Sequence, residues 1–181
     1  MSLTQLAHTL ISNHANQYQK NLAVDATCGN GHDTEFLAKL GYQQVIGFDI
    51  QEQAIAATKL RIETVGLHNV SLVNQGHQHL TANIKKPVDC FIFNFGYLPT
   101  ADKTITTSKT NSLKALNAAS TLIADKGIMS LLCYPGHPNG HEETAAIKTW
   151  LQSLNNQWQI DTHISINAND TPPVLYFLTN Q

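Results

Sequence analysis

A short apolar run followed by a stretch of helical spacing recurs along this chain, and only the last two runs break the rule. Asn21–Ala26, Val45–Asp49, Val70–Val73, Val88–Asn94 and Gly127–Tyr134 read as strands. Helical spacing appears at His32–Leu40 with Gly41 as a stop, at Gln51–Val65 closed by Gly66, and at Ser112–Ala124 and Glu142–Leu154. Continuously apolar strands alternating with helices require a parallel sheet covered on both faces. Trp158–Ile166 and Val174–Thr179, however, are separated only by Asn167–Pro173. A parallel return needs a longer crossover, so this final pair must be antiparallel. The first 18 residues, with Leu3, Leu6, Leu10 and Ile11, predict a helix packed on the outside. The expectation is one α/β domain over residues 1–181, built on a seven-stranded, mostly parallel sheet with helices on both faces.

Ligands of such open sheets bind beyond the carboxyl ends of the strands. That singles out Asp25–Gly31, Asp49, Asn74–His77, Asn94–Thr107 and Tyr134–His141. Composition limits what can bind there. The 181 residues carry 11 Lys and Arg against 13 Asp and Glu, for a net charge of -2. Asn and Gln number 29 against 24 charged residues, and Arg61 is the single arginine. No broad positive field advertises a nucleic-acid partner, so any RNA contact has to come from a local patch. No apolar run approaches the roughly 20 residues of a membrane span, and residues 1–20 lack the pattern of a signal peptide. Cys28, Cys90 and Cys133 are odd in number, far apart and in or beside apolar runs. They are expected to be buried thiols of a cytoplasmic protein, with no metal site and no disulfide.

The turn after the first strand reads Asp25-Ala26-Thr27-Cys28-Gly29-Asn30-Gly31-His32-Asp33-Thr34. Gly29 and Gly31 permit a sharp turn and close approach of a ligand to the backbone. The helix that follows presents unpaired N–H groups. Asp49 closes the second strand 20 residues after Gly29, where a carboxylate can accept from both hydroxyls of a ribose. Together these features predict an adenosine-type cofactor. A dinucleotide fingerprint wants a third glycine, where this chain has Thr34, and Asp33 places negative charge where a pyrophosphate would sit. Asp33 and Asp25 suit a ligand with an amino group and a sulfonium, as in S-adenosyl-L-methionine (SAM). An NAD-dependent oxidoreductase and a non-catalytic RNA-binding module are the competing readings.

Three segments carry a family resemblance. They are Val24–Thr34; Asn94-Phe95-Gly96-Tyr97-Leu98-Pro99 with Asp102-Lys103-Thr104-Ile105-Thr106-Thr107; and Tyr134-Pro135-Gly136-His137 with Gly140-His141-Glu142-Glu143. They resemble a small bacterial family labelled rRNA methylase, similar to the enzyme that methylates 5-aminomethyl-2-thiouridine at the tRNA wobble position. The resemblance implies a Rossmann-like class I methyltransferase fold, SAM as cofactor, an RNA substrate at the tRNA anticodon and a homodimer. Methylation of rRNA or another nucleic-acid base is the alternative activity. The chain departs from the expected pattern at Thr100-Ala101, where a Gly-Gly pair would stand, and at Pro138-Asn139 before Gly140.

The resemblance also implies roles. Asp25, Thr27, Gly29, Asn30, Gly31 and Asp33 would hold the methionine part of the cofactor, Asp49 and Ile50 its ribose side, and Gln75, Gly76 and His77 its adenine. His77 alone reads equally well as a partly exposed residue at a helix start. Asn94–Tyr97 resembles the Asn/Asp-Pro-Pro-Tyr signature of amino-group methyltransferases. An amine nucleophile must aim its lone pair along the S–CH3 bond, and Asn94 can accept its hydrogens and fix that direction. Tyr97 offers a ring face to a flipped base, and Asp102, His137, Tyr97 or water can take the departing proton. Gly96, Leu98, Lys103, Thr106, Thr107 and Tyr134 complete the expected substrate side. Lys103, Lys109 and Lys114 can reach phosphates there.

Overall fold

The computed structural model describes residues 1–96, 107–165 and 171–181. Strands β1 (Leu22–Asp25), β2 (Gln44–Phe48), β3 (Val70–Val73), β4 (Val88–Phe95), β5 (Ile123–Cys133), β6 (Trp158–Ile164) and β7 (Val174–Asn180) form one sheet in the order β3-β2-β1-β4-β5-β7-β6. The pairs among β1 to β5 are parallel, and β7 runs antiparallel to both β5 and β6. The expected seven-stranded sheet with an antiparallel C-terminal pair is present.

Helices α1 (Leu3–Ala15), α2 (His32–Lys39), α3 (Glu52–Thr64), α4 (Leu80–Asn83), α5 (Lys109–Leu122) and α6 (Pro138–Ser153) cover the sheet. Alternation along each strand splits the core. Val24, Phe91, Phe93, Phe95, Met129 and Leu131 face Leu116 of α5 and Ile147 and Trp150 of α6. Ala23, Val45, Cys90, Ile92 and Ile128 face Ile11 of α1 and Leu37 of α2. Neighbouring strands thus send apolar residues to both faces, which is why the runs read as continuously apolar.

Among the boundaries that differ from the sequence reading, those of α5, α6 and β5 move by several residues. Helix α6 starts at Pro138 rather than Glu142, because His137 caps it and proline suits the first helical position. Helix α5 starts at Lys109, capped by the Ser108 side chain. It ends at Leu122, so Ile123 and Ala124 belong to β5, where Ile123 pairs with Val88 across a register shift. All three cysteines are free and buried, as expected.

Sheet order positions the site. Chain direction from β1 goes outward through β2 and β3, then jumps back to β4 on the other side of β1. That reversal opens a crevice at the carboxyl ends of β1 and β4. Asp25 pairs with Ile92, so Asn94 lies two residues beyond the end of β1, where its N–H meets Thr27. Two residues 67 positions apart in sequence therefore meet at one point.

Candidate active site

The turn from β1 to α2 is folded by its own backbone and braced from α3. Gly29 and Gly31 take φ values of 52° and 78°, and Gly31 N–H donates to the Cys28 carbonyl at 2.7 Å. A Cβ on Gly31 would sit 2.8 Å from Thr58 Cγ2. The missing side chain thus makes room for α3, and positive φ disfavours any replacement. Thr58 donates to the Gly29 carbonyl at 3.0 Å, and Arg61 Nε donates to the Asn30 carbonyl at 2.8 Å. Arg61 also pairs with Glu35 at 2.9 Å and touches His32. The one arginine of the chain is committed to bracing this turn.

Three carboxylates converge there. Asp25 is fully buried, accepting from the Thr34 hydroxyl at 2.6 Å and Thr27 N–H at 3.3 Å. Desolvation, with Asp33 and Asp49 nearby, pushes its carboxyl up to about 7. Asp49 accepts from Gly29 N–H at 3.0 Å and Gln51 N–H at 2.9 Å, one bond to each oxygen. That leaves lone pairs on both oxygens for further donors. Beside it Ile50 is 63% exposed, an apolar surface left open at the end of β2. Asp33, at the start of α2, accepts from His8 Nε2 at 2.5 Å on one oxygen and from Asn94 Nδ2 at 2.6 Å on the other. Among the described residues no lysine or arginine pairs with any of the three.

The burial of Asp25 has a measurable consequence. Its folded value lies above the ordinary carboxylate value, so the fold loses stability as pH rises from about 4 to about 7. Asp25→Asn removes that titration. The difference in melting temperature between variant and wild type is expected to move in the variant's favour across this window, by several degrees between pH 4 and pH 8. Thermal denaturation of the ligand-free protein measures it, and a pH-independent difference would show Asp25 to be ionised throughout.

Asn94 is fixed at two points. Its N–H donates to Thr27 Oγ1 at 2.8 Å, and its carboxamide nitrogen donates to Asp33. Gly96 follows, its N–H donating to Thr107 Oγ1 at 2.9 Å while Thr107 N–H donates back to the Gly96 carbonyl at 2.9 Å. The Thr107 hydroxyl in turn donates to Glu143 Oε2 at 2.7 Å, and Ser112 donates to Glu143 Oε1 at 2.5 Å. Burial raises the Glu143 carboxyl above its ordinary value. Tyr134 lies beside Gly96, its phenol pushed up by burial and facing Thr4 of α1. His137 accepts from Gly140 N–H at 3.0 Å through Nδ1 as the cap of α6.

The residues after β3, expected near an adenine, are less uniform. Gln75 is exposed and accepts from Asn83, whereas His77 is buried, not partly exposed as the sequence suggested. Its ring stands edge-on to Phe93 and Phe95, and desolvation lowers it to about 4. It is neutral at physiological pH. Tyr97, Leu98, Asp102, Lys103 and Thr106 lie outside the described residues. Lys109 is 3.8 Å from Glu142, and Lys114 is exposed on α5. The sequence reading missed His8, Arg61 and Glu143 as site residues. Glu143 stood inside a recognised segment, but His8 and Arg61 carried no motif.

Known proteins share this fold. A Clostridium thermocellum structure described as a "putative rRNA-methylase" is 34% identical, with a TM-score of 0.92 over 98% of this chain and 97% of that one. A "putative methyltransferase" from Streptococcus mutans, solved in complex with SAH, is 29% identical, with a TM-score of 0.90 over 100% and 99% of the two chains. The fold is that of the class I SAM-dependent methyltransferases. An Arabidopsis thaliana protein, the chloroplastic tRNA (mnm(5)s(2)U34)-methyltransferase, is 33% identical over 168 residues. That match takes in 86% of this chain but spans about three-fifths of the relative, 61% of its length. Residues 45–179, most of the chain, match the family described as "Putative rRNA methylase", and the protein belongs to that family.

Proposed function

We propose that this chain transfers a methyl group from SAM to an amino nitrogen of an RNA base, namely the aminomethyl group of 5-aminomethyl-2-thiouridine at the tRNA wobble position. The observation that carries the proposal is the hydrogen bond from Asn94 to Asp33 at the β1/β4 crevice. A carboxylate only accepts, so the amide nitrogen must face Asp33 and Oδ1 faces away. An amine whose hydrogens are accepted at Oδ1 has its lone pair directed past Asn94 toward the carboxylate-lined turn.

The residues present fit SAM. Asp25, Asp33 and Asp49 form a negative site with no lysine or arginine partner among the described residues, which favours a cationic ligand over a pyrophosphate. Asp49 has acceptor capacity for ribose hydroxyls, and the open side chain of Ile50 can cover an adenine face. When bound, SAM supplies a methyl electrophile, so the protein need not generate one. The chain's own contribution is positioning. The Nδ1 of His137 already accepts from the Gly140 N–H, which leaves Asp102, Tyr97 or water to take up the substrate proton.

The substrate rests on the resemblance of the Asn94–Thr107 segment and on the name of the Arabidopsis relative. With Arg61 committed to the turn, the chain holds RNA through lysines such as Lys103 and Lys114. Binding is accordingly weak and salt-sensitive, and a homodimer would double the patch. Buried free cysteines agree with a cytoplasmic site of action. Among the described residues no helix is long and apolar enough to cross a membrane.

Calorimetry tests the cofactor half of the proposal. SAM and SAH should both bind, and Asp49→Ala should weaken both by roughly 10–100-fold, the worth of one or two hydrogen bonds to a charged group. Equal affinity in variant and wild type would remove Asp49 from the cofactor site. Mass spectrometry of tRNA nucleosides tests the substrate half. Cells lacking the protein should accumulate 5-aminomethyl-2-thiouridine, and an unchanged wobble nucleoside would overturn the assignment.

A further inference from the structure

We propose that His8, on the N-terminal helix, is a positioning residue for methyl transfer, acting through Asp33 on the carboxamide of Asn94. The inference rests on the role given above to Asn94. Three elements distant in sequence meet in one chain of hydrogen bonds. His8 Nε2 lies 2.5 Å from Asp33 Oδ1, and Asp33 Oδ2 lies 2.6 Å from Asn94 Nδ2. The carboxylate accepts at both ends, so the His8 proton sits on Nε2 and the Asn94 amide nitrogen turns inward. Turning Asn94 over would set its oxygen against a carboxylate oxygen, so Asp33 selects one of two amide orientations.

His8 in turn selects the orientation of Asp33. Its ring stacks on Phe36 of α2, with centroids 3.8 Å apart and planes 3° from parallel, which fixes where Nε2 points. Anchored through a different oxygen by each partner, the Asp33 carboxyl cannot rotate without breaking a hydrogen bond. Helix α1 does not need His8 to stay in place. Ile11 and Ala15 bury its inner face, and a Ser2–Gln5 capping box closes its start. The histidine is therefore free to serve the site. This gives the N-terminal helix a task in the chemistry beyond covering the sheet, because the orientation of an amide at the crevice is decided two hydrogen bonds away.

Two substitutions separate positioning from packing. His8→Phe keeps a ring on Phe36 but has no donor for Asp33. His8→Gln loses the ring but keeps an N–H donor. The proposal expects His8→Phe to lower kcat by about 10–100-fold, the scale of a small misplacement of a reacting group. SAH affinity and KM for SAM should change much less than kcat, because the turn and Asp49 are untouched and Asp33 keeps its bond to Asn94 through the other oxygen. His8→Gln should recover most of the rate. A purely structural His8 predicts the reverse order, with phenylalanine the better replacement.

The assay is methyl transfer from labelled SAM to bulk tRNA from a strain lacking the protein. A second measurement needs no activity. The Asn94 side-chain amide is identified in a 15N spectrum by its loss in Asn94→Asp, and is expected to shift or broaden in His8→Phe but persist in His8→Gln. Unchanged Asn94 signals in His8→Phe would overturn the proposal, as would a phenylalanine variant with wild-type kcat. If the wild-type protein transfers no methyl group, the functional reading fails instead, and the Asn94 spectrum still decides whether His8 sets that amide.

Discussion

Replacing Asn94 by alanine is expected to lower kcat for methyl transfer by roughly 100–1,000-fold while SAH affinity changes by no more than about twofold. The asymmetry follows from where Asn94 stands. Its amide nitrogen reaches the cofactor site only through Asp33, which His8 still holds by its other oxygen, and the side chain adds no contact to Asp49 or to the Gly29–Gly31 turn. What alanine removes is the acceptor that aligns the amine, an interaction needed only as the new bond forms. Single-turnover methyl transfer and calorimetric titration with SAH, carried out on the same variant, measure the two quantities. A loss of SAH affinity equal to the loss of rate would show that Asn94 holds the cofactor instead of the substrate. Asn94→Asp is a harsher change, because it sets two carboxyl groups against each other at the Asp33 contact.

Glu143 carries the largest expected effect on stability. Its carboxylate is buried and accepts from Ser112 on α5 and from Thr107, which also receives the Gly96 N–H at the end of β4. Glu143→Ala leaves two hydroxyls without their acceptor in a closed site and opens a cavity, at a cost of about 2–4 kcal/mol. For a chain of this size that lowers the melting temperature by about 5–15 °C. Glu143→Gln should cost clearly less, since its amide fills the same space and can accept from one hydroxyl and donate to the other. Thermal denaturation of both variants gives the comparison, and equal losses would mean that filled volume, not hydrogen bonding, is what Glu143 supplies. Gly96 and Thr107 flank the segment bearing Tyr97 and Asp102, so loss of this clasp should also reduce transfer to RNA.

The two residues differ in how visible they were beforehand. Asn94 could be placed from sequence because it ends an apolar strand and begins a recognisable segment. Glu143 lay in such a segment too, yet nothing marked it as buried. Its environment is built from Thr107 and Ser112, 36 and 31 residues earlier. His77 shows the same limit in reverse. Its position at a helix start suggested partial exposure, but the phenylalanine ladder of β4 encloses its ring. The helix starts at Lys109 and Pro138 are illegible in sequence, because Thr, Pro, Gly and His read as loop and only the capping side chains of Ser108 and His137 close them.

By itself the sequence determined the sheet and its C-terminal antiparallel pair, the glycine turn, the acid at the end of β2 and the asparagine at the end of β4. All of these follow from local causes: apolar periodicity, the length of a connection, and the conformational freedom of glycine. Only the tertiary structure decided how those parts are held. It spent the one arginine on the Asn30 carbonyl, let Gly31 make room for Thr58, gathered three carboxylates into one site, and aimed Asn94 through Asp33 and His8. Hydrogen bonds between residues 25, 31 and 61 positions apart leave no periodic trace in a sequence. They exist only because the strand order brings α1, α2, α3 and β4 to the same crevice.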